Sequence, residues 1–419
     1  MKPLVHRNRN RRGTAYMIVV GTSLLVGVMA IGTLGLTRAR GRAGGESMDA
    51  AAARQCALDG VEIAKLWIRQ DANWRLNRTA GVWATDLATS GGTVSIEVAD
   101  PVDGNMALGQ HDALFVKCTG KKGLAKHIVS VTLQANPIPL DALAYAAHTA
   151  GEFHVTSGKT LKSGGATVSA NGVLRNEGTI NGAVNTDGVA VFGTVLGSPN
   201  STAAAEKPLP AASIIDKYIA LGTEIGTPGS LEKRVLAPGC NPFSGGTNAD
   251  GVYIVRPSGN LSIKTSRIYG TLVVILGAGK RVQVDDRVLI HPYRTDYPTL
   301  IIQGDAEFNF YSDNLSETLA VTNFNPPGAP YNGVTDVLPL GSYPSEIQGL
   351  IHVTGIVTMK QTSRIRGVVL AAGTGADAIK IEDTPELVYT PSLFTSPPQW
   401  YTKEVRMPIQ LGTWSQPAN

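Results

Sequence analysis

Between Thr14 and Thr37 the chain carries 24 consecutive residues without a charge, ten of them Leu, Ile or Val. A helix of that length rises about 36 Å at about 1.5 Å per residue, enough to cross a hydrocarbon core of about 30 Å. The ten aliphatic side chains favour insertion by roughly 3–6 kcal/mol in total, and nothing charged within the run opposes them. A cleaved secretory signal has a shorter apolar region, about 7–15 residues, ending in a small-x-small site. Here the run ends in Thr37-Arg38-Ala39-Arg40, and the first cysteine, which a lipoprotein would need at once, is Cys56. The sequence therefore predicts a retained single-pass membrane helix.

Basic residues flank the run on both sides: Lys2, Arg7, Arg9, Arg11 and Arg12 before it, Arg38, Arg40 and Arg42 after it. The larger number precedes it, which predicts a cytoplasmic N-terminus in the inner membrane and a periplasmic or extracellular body. Ser23 and Gly27 form a small-xxx-small pair that Ala30 continues, a face on which a second helix in lipid can approach closely. Glycine in membrane helices is also common without such a role, so both readings stand.

The remainder reads as mainly β. Glycine is abundant at 47 residues and only 17% of residues are charged, which suits short strands and turns better than helix bundles. A helix is predicted from Glu46 to Leu76, because Ala53, Ala57, Val61, Ala64 and Ile68 recur at three- and four-residue spacing. It is expected to continue outward from the membrane run, with an interruption near Gly44-Gly45. Residues 93–98, 113–118 and 128–133 alternate or cluster apolar side chains as strands do, so residues 46–134 form an α+β unit with an antiparallel sheet.

From Gly151 the texture changes. Val168, Leu174 and Ile180 stand six apart, as do Val189 and Val195, with Gly172, Gly178, Gly182, Gly188 and Gly193 between short apolar pieces. Such spacing predicts a first β-solenoid block over residues 151–196. Residues 197–250 read as a linker with a short helix, and residues 251–382 as a second block. There Thr265 to Val273 recurs as Thr362 to Leu370, each copy preceded by a similar strand, Gly251 to Val255 and Gly349 to Val353. Residues 312–345 form a polar excursion from one rung, and residues 383–419 a cap or tail.

Chemistry is sparse. Asp285 and Asp286, near His291, are the best acidic pair for glycosidic acid–base work, yet strand neighbours face opposite ways. A solvated turn is the preferred reading. Cys56, Cys118 and Cys240 have no zinc spacing, and Cys56–Cys118 is the nearest pair for one disulfide; three small buried thiols are preferred. The Gly-rich stretch Ala371 to Asp377 lacks the lysine and helix of a phosphate cradle and reads as a loop. No later basic stripe interleaves with aromatics, which argues against nucleic acid as a partner. The sequence predicts no catalytic residue, no cofactor and no metal site.

The stretch Arg11-Arg12-Gly13-Thr14-Ala15-Tyr16-Met17-Ile18-Val19-Val20 resembles the N-terminus of type IV pilus minor pilins and related pilus-assembly pseudopilins. The resemblance covers roughly residues 7–70, with architectural support to residue 134 and residues 1–13 as leader. It implies cleavage after Gly13, leaving Thr14 as the new N-terminus. Family members often carry Phe there and Glu five residues in, where this chain has Thr14 and Ile18. The missing acid points away from a major subunit and toward the minor, assembly branch. The region Gly172 to Gly197 is similar in texture to β-helical bactofilins. The resemblance implies a non-enzymatic envelope protein whose partners are membrane lipid and other pilin-like or envelope proteins, with an extracellular polysaccharide or surface ligand for its body. Two alternatives remain: a membrane-tethered β-helix carbohydrate-active enzyme, and a polymer-forming scaffold unrelated to pili.

Overall fold

In the computed structural model the apolar run opens one helix, α1, Arg11–Gln70, which continues unbroken for 60 residues. The structure describes residues 11–71, 73–191, 193–197, 199–200, 205–226 and 228–416, so Lys2, Arg7 and Arg9 of the leader lie outside the described residues. The interruption expected at Gly44-Gly45 is absent; each mid-helix glycine costs only about 1 kcal/mol relative to alanine. Termination comes from Asp71, whose carboxylate accepts the Asn73 backbone N–H at 2.8 Å and competes with the helical bond. Residues 74–76, expected in the same helix, belong to a separate short turn of helix, Trp74–Asn77.

The chain divides into two units. The first contains α1 and a four-stranded antiparallel sheet in the order β1 (Gly81–Ala88), β2 (Thr93–Ala99), β3 (Leu114–Lys122), β4 (Ala125–Leu133). The helix stripe Ala53, Ala57, Val61, Ala64 and Ile68 is buried, and so are Val94, Ile96, Val98, Val116, Val129 and Val131 on the sheet. Small residues set the helix close to the strands. A Cβ on Gly60 would overlap Val94, and one on Gly120 would overlap the Ala53 carbonyl. β1 carries no buried side chain and is bulged twice along β2, so it had no apolar alternation to announce it. Arg78 lies between the Trp67 and Trp83 rings, at 4.6 and 4.8 Å.

The second unit is built on one closed sheet whose pairings, among the described residues, are all parallel. One ladder runs through Val252–Val255, Thr271–Ile275, Leu300–Gln303, Glu346–Val353, Arg364–Ala371 and Ala147–Thr149 to Thr160–Asn176. The sheet thus seats sequence-early strands directly against sequence-late ones. Arg364–Ala371 pairs with Ala147–Thr149, and Ile379–Ile381 pairs with Phe153–Val155. The two glycine-punctuated stretches that the sequence separates by 197–250 are continuous in space.

Inward-facing Val, Ile, Leu and Phe side chains from successive strands fill a single core, including Phe153, Leu174, Ile263, Val284, Phe308, Ile351, Val369 and Ile381. The ladder above is buried on its other face as well. There Val252, Ile254, Val273, Ile301, Leu350 and Val368 meet Ile214, Ile215 and Tyr218 of the helix Ile214–Leu221. Strands covered on both faces read as continuous apolar runs, as Leu300–Gln303 does.

Between residues 205 and 236 the chain supplies that covering helix, at the place where the sequence predicts a short helix, and the strands Thr223–Glu224, Ser230–Glu232 and Val235–Leu236. The excursion 312–345 is also folded, with Leu315, Ala320, Phe324, Ala329 and Tyr343 in a core of their own with Leu289. Residues 386–415 divide between the two units. Glu386–Tyr389 joins the closed sheet, Thr402–Arg406 pairs antiparallel with Asn136–Pro139, and the chain then rejoins the first unit at Leu133↔Ile409 and Ser130↔Ser415.

The recurring nine-residue stretch has a steric origin. Gly251 stacks on Gly270 and Gly349 on Gly367, so that a Cβ on Gly270 or Gly367 would overlap the carbonyl of the glycine beneath it. Gly251 and Gly349 also take positive φ, 69° and 102°, which non-glycine residues adopt at a cost.

Candidate functional site

The most exposed apolar surface is the first half of α1, where no residue from Thr14 to Thr37 is buried. The helix is long and apolar enough to cross a membrane. Its hydroxyls bond inward along the helix. Thr22 donates to the Ile18 carbonyl at 2.9 Å, Ser23 to Val19 at 2.7 Å and Thr37 to Thr33 at 2.8 Å. No hydroxyl among these needs water, which is the condition a hydrocarbon setting imposes. Gly13 and Thr14 sit in the first turns of the helix, and Ser23, Gly27 and Ala30 lie on it with nothing packed over them.

A second feature runs along the outside of the closed sheet. Alternating charges link Arg281 to Glu307 (3.0 Å), Glu307 to Lys360 (3.3 Å), Lys360 to Glu382 (3.6 Å) and Glu382 to Lys380 (3.0 Å). The chain continues from Lys380 to Asp377 (3.3 Å), Asp377 to His154 Nδ1 (2.6 Å), His154 Nε2 to Glu177 (3.6 Å) and Glu177 to Arg175 (2.6 Å). The register explains why acids intervene. Lys380, His154 and Arg175 are direct partners on three adjacent strands, so three basic side chains stand side by side and the acids lie between them. Lys380 and its neighbours hold the Asp377 and Glu382 carboxyls below their usual range against the opposing effect of burial, the largest single influence on each.

Beside this row lies Glu152; it, His154 and Asp377 place one ligand-capable atom each within 4.8 Å of one another. The sequence reading predicted no metal site and did not join these residues. Glu152 and His154 lie more than 220 positions from Asp377, and only the pairing of Phe153–Val155 with Ile379–Ile381 brings them together. The glycine-rich stretch before Asp377, read as a loop, is wrapped around Gly151, and the Glu152 N–H donates to the Gly375 carbonyl at 3.1 Å. A second acidic group, Asp100, Asp103 and Asp112, is served by Arg75, whose guanidinium lies 3.9 Å from Asp100 and donates to the Asp112 carbonyl at 2.7 Å.

Asp285 and Asp286 do not form a turn. Both lie inside the strand Arg281–His291, at a bulge where Asp286 has φ 63°. Asp285 accepts from Asn309 at 3.0 Å, and Asp286 accepts from Thr265 at 2.5 Å and Arg287 at 2.9 Å. His291 stacks on Tyr269 and accepts from Arg267 Nε at 3.2 Å. Arg267, wholly buried, donates to the carbonyls of Phe324, Ala329 and Pro330 and so pins the excursion. Its counterpart in the repeat, Arg364, makes an ion pair with Glu386 at 2.8 Å. Cys56, Cys118 and Cys240 are free thiols, and burial pushes Cys118 up to about 12.

Among solved structures, the chain is similar to the competence-associated pilin ComZ from Thermus thermophilus. The identity is 11% and the TM-score 0.26, with 88% of this chain and 97% of that one covered. The functional reading rests on this chain's own residues. No family model matches the chain, and no curated protein matches it.

Proposed function

We propose that the protein is a non-enzymatic, membrane-anchored envelope component of minor-pilin type, part of a pilus or secretion-type assembly, whose β body serves adhesion or scaffolding. One observation carries this reading. The same helix is bare and apolar from Thr14 to Thr37 and then buries Ala53 to Ile68 against an antiparallel sheet. A helix of that kind anchors in lipid through one half and organises a folded domain through the other. Ser23, Gly27 and Ala30 supply the face for neighbouring membrane helices. Gly13 and Thr14 mark the processing point, and the N-terminus lies in the cytoplasm with the body outside.

The parallel ladders support reading the body as a β-solenoid, a coil whose turns stack on one another and so resist bending. Its Asp285 and Asp286 are engaged by Asn309, Thr265 and Arg287, which favours structural over catalytic use. An extracellular polysaccharide or other surface ligand is the class of partner such a platform would meet.

N-terminal sequencing of the mature protein, together with fractionation, tests the reading. A membrane-bound chain beginning at Thr14 is expected. A membrane-bound chain beginning at Met1 favours a plain anchor for a scaffold outside the pilus class, and an intact chain in the cytosolic fraction overturns the proposal.

A further inference from the structure

We propose that the excursion 312–345 carries a docking face for a second copy of this chain. Its surface is aliphatic: Leu319, Val321, Val334, Val337, Leu338 and Leu340 are each between 61% and 81% exposed. Hydrogen bonds tie together the two arms that carry them. The Glu317 N–H donates to the Gly341 carbonyl at 3.0 Å, Thr318 to the Pro339 carbonyl at 3.4 Å and Asn323 to the Asp336 carbonyl at 2.9 Å. The six side chains therefore stand on neighbouring stretches of backbone rather than scattered over the surface.

The face is built to stay presented. Beneath it, the buried Glu317 carboxylate accepts from the Gly341 N–H at 2.6 Å and the Tyr343 hydroxyl at 2.9 Å. That grip fixes the arms before any partner arrives, which lowers the ordering cost of binding. Val321 closes the helix Glu317–Ala320 at φ 54° and ψ 45°, a left-handed conformation that β-branched residues rarely take. Glycine or asparagine suits that place, and an exposed valine gains nothing there within its own fold.

Charge and area decide the occupant. Between Asn314 and Ser345 the only charged residues are Glu317, which is buried, and Asp336, which is half-buried. A two-fold contact sets a patch against itself, so a face whose charges are withdrawn meets its copy without repulsion. The same stretch has no lysine or arginine to meet anionic lipid. Phe324, Tyr331 and Tyr343 are buried or half-buried rather than presented as rings on which a sugar stacks. At roughly 30 Å² per buried carbon, the six side chains offer about 500 Å² per copy. Two copies then bury about 1,000 Å², the lower bound for a specific interface and the size of a weak, reversible dimer.

The test is light scattering on the full-length chain in detergent micelles, resolving protein mass from bound detergent, over a dilution series from about 1 to about 100 μM. A reversible dimer is expected. Leu319→Ser combined with Val337→Ser should raise its dissociation constant about tenfold or more. Both positions are exposed, so an unchanged Tm is expected alongside. Gly27→Leu keeps the result apart from helix packing inside the micelle. Loss of the dimer in the double variant supports the proposal whatever Gly27→Leu does. A dimer that survives the double variant but not Gly27→Leu overturns it and leaves the membrane-helix face standing. A monomeric wild-type chain overturns it as well: more bound detergent than on the double variant makes lipid the occupant, and equal detergent makes it a foreign protein.

Discussion

The two units solve burial in different ways. In the first, one helix lays small residues (Ala53, Ala57, Gly60, Ala64) against the valines of an antiparallel sheet, so two faces meet once. In the second, the parallel strands of one closed sheet pair across long stretches of sequence, and the same kinds of apolar side chain fill its interior. Histidines follow the difference. His148, His291 and His352 lie in the closed-sheet unit, where burial drives them down to about 4, about 3 and about 4. Neighbouring Lys207 and Arg267 push His148 and His291 further down. The long core of a closed sheet offers many apolar places to bury a ring. A single helix–sheet contact offers few.

Acid should separate the units most strongly. Each of these histidines is neutral in the folded state below its unfolded pKa of about 6.5, so the unfolded chain binds more protons in that window. The stability each contributes is present above about pH 6.5 and is lost as pH falls toward 4, at about 1.4 kcal/mol per pH unit per residue. Hydrogen-exchange protection, taken relative to the intrinsic rate at each pH, should therefore fall between pH 7 and 4.5 in residues 140–390 before it does in the α1–sheet contact. An equal fall in both would erase the distinction.

Core truncation gives the next largest effect. Phe308→Ala removes a fully buried ring from the stack and should cost about 3–5 kcal/mol in denaturant unfolding. Val61→Ala in the helix–sheet unit removes two carbons and should cost about 1.5–2 kcal/mol. A smaller loss at Phe308 than at Val61 would contradict the larger core of the closed sheet.

The two halves of α1 can be set against each other with one charge. Leu25→Arg should disfavour insertion by about 2.5–3.5 kcal/mol and shift the chain out of the membrane fraction. Leu66→Arg, at an exposed position on the same helix beyond the apolar run, should leave fractionation unchanged. The smallest effect belongs to the charged row. Lys360→Ala should cost about 1 kcal/mol, because buried Glu307 keeps Arg281 as a partner, and the loss should shrink in high salt as the half-buried Lys360 is screened. A salt-independent loss would mean that Lys360 acts through packing.

Much of this was legible from residue spacing. The stripe from Ala53 to Ile68 foretold the buried face of α1, and the alternation at residues 93–98 and 128–133 foretold β2 and β4, because local periodicity records which side of an element meets apolar matter. β1 carried no such record, since none of its side chains is buried. The repeat at Thr265 and Thr362 was visible as letters. Its cause, one glycine stacked on another, was not, because Gly349 and Gly367 meet across strands. The Glu152–His154–Asp377 cluster was hidden for the same reason.

The amino-acid order alone determined a membrane-length helix, its continuation into an amphipathic stalk and a glycine-turned, mainly β remainder, since each of these follows from neighbours within a few residues. Only the tertiary structure decided that Ala147–Thr149 lies beside Arg364–Ala371, that residues 205–236 cover and extend the sheet, and that the last residues return to β4. Parallel strands are joined through long connections, and a sequence does not state which distant strand will close each ladder; that choice is made where apolar layers of matching size meet in space.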